Sequence, residues 1–529
     1  MIDVNELYLQ AIEQQKNQNY DAALKIAYEL QSLDRTAKIK GHYLEAIVWE
    51  KLENTVKEYY ALKKMLSLLD FSSSEMKELA ADILTNVATV CLKMSLLTES
   101  IDCLWLAKKL SNNKKIEYKI LDAVIHNTNY LEDSSPDDFR AIYDEYKKSL
   151  ADIVPYPKKF YDHEKIRVGF ISPDFFKHAV MEWSLALLTG LDKNLFETYC
   201  YSNVKNPDET TEHLRSVVDG WRDISDLTDE DAAKLIRDDE IDILFDLSGH
   251  TKNNRLCVAV YRPASVQMSG IGYVNSTGLE CFDYFLSDST CAGDETFFTE
   301  KVIKLPHSHF CYTPLTFLEP AAEPPCVKNN FVTFGSFNRY SKINNSILSA
   351  WKKILDMVPN SRLLLKTSIF NTEDEKNFVV ERLKNFDFDL SRVEMRGLSN
   401  TWLSEYGDVD IALDTFPCTG GVTTCEALFM GVPVISLYGK RHGTRFGLSI
   451  LKNIGLDGFA VKSYDEYINL AVALSNDWKL LTILRKNLRT MMKKSPLMDS
   501  ANYLREIQTA FIKILNEQKN LWRSASGEH

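Results

Sequence analysis

Residues 408–437 read DVDIALDTFPCTGGVTTCEALFMGVPVISL, and their order of apolar runs and breakers decides the fold. The run at 409–413 predicts a buried strand, and the loop after it ends in Gly420-Gly421. Helical spacing then holds from Val422 to Met430, where Gly431 and Pro433 stop it, and an apolar run at 432–437 predicts a second strand. The result is a strand-loop-helix-strand unit. The paired glycines and Thr423-Thr424 at the helix start offer backbone N–H groups and hydroxyls where the helix dipole favours an anion. Glu426 projects from the same helix one turn on. A phosphate clamp with a carboxylate a turn away suits a nucleotide, because the carboxylate accepts hydrogen bonds from ribose hydroxyls. An ordinary glycine-bearing turn of a parallel sheet shares this pattern, so the flanking motifs must separate the two. Asp408-Val409-Asp410 is formally a DxD metal signature, but it leads into a strand instead of lying in an open loop and reads as structural.

The chain of 529 residues is long enough for about three domains. Its 45% hydrophobic and 26% charged residues describe a globular protein, and no apolar run approaches the ~18 residues of a membrane span. The start, MIDVNELYLQAIEQQ, is acidic and lacks a basic, apolar leader, so a cytoplasmic location is expected. Ten cysteines lie scattered without a CxxC pair or a His/Cys cluster at zinc spacing, which predicts reduced thiols and no metal. The net charge of -12 argues against a nucleic-acid partner.

Residues 1–130 have few glycines or prolines and apolar positions at helical spacing throughout. Small residues recur where paired helices must approach: Ala11 with Ala23, and Ala88 with Ser100, with Ala46 starting a similar unit whose partner position holds Glu58. The starts at 11, 46 and 88 lie 35 and 42 residues apart, the first close to the ~34-residue tetratricopeptide period. Such repeats stack into a solenoid whose groove can engage a protein acceptor. Residues 131–164 turn polar and proline-bearing and predict a linker with one helix at 139–150. From Lys165, β-branched or aromatic runs alternate with helical patterns, which predicts parallel sheets covered by helices. One α/β domain is expected over 165–320, a second over 328–495 after the EPAAEPP hinge, and a terminal helix over 496–529.

Ligands of open α/β sheets sit beyond the carboxyl ends of the strands. Those loops carry His178 after the first strand, His250 after IDILFDLSG, Arg339 and Lys342 after FVTFGSF, and Arg445 in GKRHGTR. Grouped cations near the glycine turn would neutralise a diphosphate. Gly270-x-Gly272 is no dinucleotide fingerprint, because Asn275 replaces the third glycine and no helix follows.

The segments RVGFISPDFFKHAV, DILFDLSGHTKNNRL, YRPASVQMSGIGYVNSTGL, FGSFNRYSKIN, the opening stretch and GKRHGTRFGLSIL together resemble the O-linked N-acetylglucosamine transferase family of protein glycosyltransferases, in its bacterial form. The resemblance runs from Ile166 to the SPLMDSANYLREIQTAFIKIL helix, and the helical start fits the family's repeat region. It implies a two-domain GT-B fold, and inverting, metal-independent transfer from a nucleotide sugar, by default UDP-N-acetylglucosamine, to Ser or Thr of a protein. By the same resemblance Lys342 meets the diphosphate with Arg339 beside it, Thr423 contacts phosphate within the loop Gly420-Gly421-Val422-Thr423-Thr424, and Glu426 binds ribose. His178 is a candidate base beside the sugar, and His250 lines the same cleft. Trp402 stands where bacterial relatives carry a histidine near the base, and Val422 replaces a threonine of the phosphate loop. GDP-fucose or UDP-glucose as donor, a glycan or small-molecule acceptor, and an inactive repeat scaffold are the alternatives.

Overall fold

The computed structural model describes residues 3–526. Three helical hairpins open the chain: α1 (Val4–Lys16) with α2 (Tyr20–Gln31), α3 (Arg35–Lys51) with α4 (Thr55–Ser67), and α5 (Ser74–Lys93) with α6 (Leu97–Leu110), followed by α7 (Lys114–Thr128). Asp3, Asp34, Asn54 and Ser73 cap four of these helices by accepting from backbone N–H groups in the first turn. The small residues sit where the helices touch. Ala11 and Ala23 are fully buried, and the Ser100 hydroxyl donates to the Ala88 carbonyl at 2.6 Å. Glu58, at the equivalent position of the middle hairpin, is also buried. A Cβ on Gly41 would lie 2.6 Å from the Ala27 carbonyl, so glycine in mid-helix sets the approach of α3 to α2. The longer second spacing is shared between a longer loop from α4 to α5 and the greater length of α4 and α5 themselves.

The chain forms two compact units, one of residues up to 131 with 335–402, the other of 132–334 with 403 onward. In the first, the hairpins are fastened to the later segment: Asn54 Nδ2 donates to Asp374 Oδ2 at 2.9 Å, the Thr55 N–H donates to buried Glu375 at 3.0 Å, and Ser95 Oγ donates to the Ile343 carbonyl at 2.7 Å.

In the second unit, α8 (Pro136–Ser149) starts on a Ser135–Asp138 capping box and buries Phe139, Tyr143 and Tyr146. A parallel sheet of seven strands follows: β1 (Ile166–Ser172), β2 (Phe196–Ser202), β3 (Gly220–Asp223), β4 (Ile243–Asp246), β5 (Val266–Gly270), β6 (Tyr284–Asp288) and β7 (Lys301–Leu305), in the order β3-β2-β1-β4-β5-β6-β7. Its central strands are apolar on both faces, as a sheet covered by helices requires. The order reverses between β1 and β4, and the loops leaving those two strands carry His178 and His250. The helix Ser500–Ser526 returns to this sheet, where Phe511 meets Phe196 and Phe245.

The second sheet comprises β8 (Val332–Ser336), β9 (Ser361–Lys366), β10 (Val393–Arg396), β11 (Ile411–Leu413), β12 (Val434–Leu437) and β13 (Ala460–Val461), ordered β10-β9-β8-β11-β12-β13. The opening stretch is the predicted strand-loop-helix-strand unit, with β11 paired in parallel to β12 through Ala412↔Val434 and the helix at Val422–Phe429. Both strands begin two residues later than the apolar runs predict. Asp410 explains the first shift, because its carboxylate accepts from the N–H groups of Cys326 (2.9 Å) and Thr333 (2.8 Å) and is buried in doing so. The carboxylate of the formal DxD is thus spent on backbone. Arg485 lies beneath this unit, 2% exposed, and donates to the carbonyls of Tyr406, Val409 and Met430. All ten cysteines are free thiols.

Candidate functional site

Asp414, at the end of β11, builds the glycine turn. One carboxylate oxygen accepts from the N–H groups of Thr415 (2.8 Å) and Gly420 (2.6 Å), and the other accepts from the Ser436 hydroxyl at 2.6 Å. The loop is thereby closed on itself, and Gly420 is pressed against the helix start. A Cβ there would lie 2.5 Å from Thr424 Oγ1 and 2.8 Å from Thr423 Oγ1, so glycine is required. Gly421 is the N-cap residue and supplies no side-chain cap. A glycine N-cap at the positive end of the helix dipole is the arrangement that suits phosphate. Gly421 also lies against the Trp183 ring, with a Cβ placed 3.4 Å from it in ordinary contact.

Trp183 belongs to α9 (Ala179–Gly190), the helix after β1, and stacks on Phe310 with ring centres 4.2 Å apart. The same helix brings Glu182 towards Glu426. Burial first, and the Glu426 charge second, raise the Glu182 carboxyl to about 8. Glu426 is 7% exposed, and the hydroxyl of buried Tyr406 lies 3.4 Å from its Oε2 and 3.3 Å from the Thr423 carbonyl. A carboxylate held at the helix start, next to a second carboxyl that stays protonated, is set to accept from a hydroxyl pair. Glu182, Trp183, Tyr406 and Asp414 escaped sequence reading. Glu182 follows His178 at i+4, so helical periodicity from the SPDFFKH loop was the available signal.

His178 is the N-cap of α9 and is part-exposed. Its Nδ1 lies 3.3 Å from the Val180 N–H and 3.8 Å from Asp174 Oδ1. The two neighbours favour opposite tautomers: the amide wants a lone pair on Nδ1, the carboxylate a proton. His250 has different surroundings. It is 2% exposed, packed edge-on against Tyr146 and Tyr273, and its Nε2 donates to the Thr277 carbonyl at 2.8 Å. Its turn is held by Asp246, which accepts from the N–H groups of Ser248 and Gly249 and whose carboxyl burial raises to about 6.

Arg445 also departs from the picture of a free cation near a diphosphate. Nε donates to the Thr290 carbonyl at 2.9 Å and Nη1 to the Gly439 carbonyl at 2.8 Å, with the guanidinium over Tyr438. Two of its donors brace two loops. Arg339, Lys342 and Trp402 lie in the other compact unit. Arg339 is exposed, ahead of the turn Tyr340–Lys342 in which Tyr340 and Ser341 are buried and Lys342 is half-buried. Trp402 begins the short helix Trp402–Glu405 and is half-buried.

Comparisons with known proteins bear on the family and the fold. SPINDLY of Hordeum vulgare, named "Probable UDP-N-acetylglucosamine--peptide N-acetylglucosaminyltransferase SPINDLY", is 36% identical over 397 residues, which are 72% of this chain and 42% of that protein. The Arabidopsis thaliana protein of the same name is 37% identical over 68% of this chain and 39% of its own length, and Arabidopsis SEC is 27% identical over 67% and 37%. The chain thus spans less than half the length of these relatives. Among solved structures, a mutant O-GlcNAc transferase of Thermobaculum terrenum superposes with a TM-score of 0.86 at 26% identity, covering 97% of this chain and 98% of that one. The architecture is a GT-B glycosyltransferase fold preceded by helical repeats. The profile of glycosyl transferase family 41 matches residues 150–318 and 324–507, and the chain belongs to that family.

Proposed function

We propose that this protein transfers N-acetylglucosamine from UDP-N-acetylglucosamine to Ser or Thr hydroxyls of a protein acceptor, with inversion and without a metal at the reacting centre. The observation that carries this reading is the glycine N-cap of the Val422–Phe429 helix, closed by Asp414, with Glu426 buried one turn on, in a chain of family 41. In inverting transfer the sugar carbon gains oxocarbenium character while the diphosphate leaves with its charge. The amides of Val422, Thr423 and Thr424 meet that charge and Glu426 accepts from ribose, while the family resemblance assigns Lys342 and Arg339 to the diphosphate. Trp402 offers a ring on which a base can stack.

His178 assists the acceptor hydroxyl. In the structure Nδ1 accepts from the Val180 N–H, so service as a base through Nε2 requires the other tautomer, with the proton moved to Nδ1 on the side of Asp174. His250 is a positioning residue, since its Nε2 proton is committed to Thr277, and Arg445 holds the loop that it braces. Residues 1–130 serve as the repeat domain that engages the acceptor, 131–164 as the connector, 165–320 and 328–495 as the two catalytic domains and 496–529 as the closing helix. No helix of the described residues is long and apolar enough to cross a membrane, which supports action on cytoplasmic proteins.

Val422 and Trp402 keep GDP-fucose and UDP-glucose as second readings for the donor, because both residues border the nucleotide in this scheme. Intact mass spectrometry of candidate acceptor proteins, after reaction with a panel of UDP- and GDP-sugars, decides the matter. A mass gain of one N-acetylhexosamine from the UDP sugar alone is expected, and a gain from GDP-fucose only would replace the donor assignment.

A further inference from the structure

Cys291, His309 and His442 lie far apart in the chain, and the fold gathers them into one buried cluster. Cys291 follows β6, His309 follows β7, and His442 sits in the turn His442–Thr444 after β12. All three are buried, both histidines with no exposed surface, and one donor atom from each lies within 4.8 Å of the other two. None of the three takes part in the proposed donor binding or transfer.

The hydrogen-bond accounting of this cluster is unusual. His309 Nδ1 is 2.6 Å from Asp288 Oδ2, a carboxylate that also accepts from the Ser449 hydroxyl at 2.8 Å and, through its other oxygen, from the Cys291 N–H at 2.6 Å. Nδ1 therefore carries a proton towards Asp288, which leaves Nε2 as the atom that a metal ion would take. That Nε2 is buried without a partner, and His442 has only a poorly aligned contact with the Val274 backbone. Leaving such atoms dry and unpaired costs about 1–3 kcal/mol each. The rings of Phe285, Phe298 and Phe446 wall His442 at 5.1 to 5.9 Å and exclude water. The Cys291 thiol is 3.4 Å from the His442 carbonyl.

We propose that Cys291, His309 and His442 form a structural binding site for a single thiophilic cation, Zn2+ or Cu+. Two neutral imidazoles and one thiolate are the donors that such ions prefer. The Asp288–His309 pair supplies the carboxylate–imidazole arrangement that orients a metal-bound histidine. Binding breaks the Cys291 S–H bond, forms a metal–sulfur bond and releases one proton to solvent. Metal–ligand bonds of about 2.0–2.3 Å place donor atoms closer together than they stand in the metal-free arrangement, so the three side chains draw inward. The ion then ties the ends of β6 and β7 to the loop that follows β12, the one Arg445 also braces.

The full-length protein, purified without chelator or affinity metal, is expected to carry about one Zn or one Cu per chain by elemental mass spectrometry, and the element found names the ion. Chelator-stripped protein should gain several degrees in Tm on adding Zn2+ or, under reducing conditions, Cu+. The Cys291→Ala variant should lose both the bound ion and the gain. Because that variant could be destabilised for other reasons, stripped wild-type protein is also loaded with Co2+. A thiolate-to-cobalt charge-transfer band is expected, and its absence would overturn the site. So would Tm values unchanged by metal, or metal retained equally by Cys291→Ala. None of these readouts depends on transfer activity.

Discussion

Glu182 and Glu426 interact from two helices that start at different sheets, and burial first, with the Glu426 charge second, keeps the proton on Glu182. Burial and the Glu426 charge raise the Glu182 carboxyl from 4.5 to about 8. A folded-state value above the unfolded one means that the native state holds the extra proton between those limits. Stability is then full below about pH 4.5 and is lost as pH rises towards 8. The whole shift corresponds to at most on the order of 5 kcal/mol. Glu182→Gln should flatten the fall in Tm between pH 5 and pH 8. An unchanged slope would refute the pairing.

Lys342→Ala should lower kcat by roughly 10²–10³-fold, the usual cost of removing a group that meets developing negative charge. Single-turnover transfer from labelled donor reads the chemical step directly. A rate within a few-fold of wild type would remove Lys342 from the diphosphate site.

The two histidines should separate by phenotype. His178 is part-exposed, so His178→Ala is expected to cut kcat strongly while Tm stays within a degree or two. His250→Ala deletes a ring packed between Tyr146 and Tyr273 and strands the Thr277 carbonyl, at about 2–4 kcal/mol. Thermal melts alongside turnover check the pair. The reverse pattern would exchange their roles.

Removing residues 1–130 should destabilise what remains. Thr55 donates to the buried Glu375 carboxylate, and Asn54 and Ser95 hold Asp374 and Ile343. A chain starting at 131 is expected to melt several degrees lower and to expose new protease sites within 335–402. Point changes on the outer faces of α1 to α6 are therefore the better probe of acceptor recruitment. They should slow protein modification while leaving donor hydrolysis intact, whereas equal loss of both would indicate a purely structural role.

Much of the fold was legible because its signals are local. The runs 166–172 and 196–202 coincide with β1 and β2, the glycines at 420 and 421 stop one element and start another, and the small residues at 11, 23, 88 and 100 sit at helix contacts. Strand starts in the opening stretch were legible only to within two residues, because Asp410 turns to pair with amides that the sequence does not place near it.

The sequence by itself determined the alternation of strands and helices, the repeat register and the loops where anions are met, since each depends on spacing within one or two turns of chain. Only the tertiary structure decided which side chains share a dielectric. It set Glu182 beside Glu426, enclosed His250 between tyrosines and spent Arg445 on carbonyls. It also brought Cys291, His309 and His442 within 4.8 Å of one another, although they are 18 and 133 residues apart in sequence. Burial, charge pairing and hydrogen-bond satisfaction are properties of neighbours in space, and spacing along the chain carries no record of them.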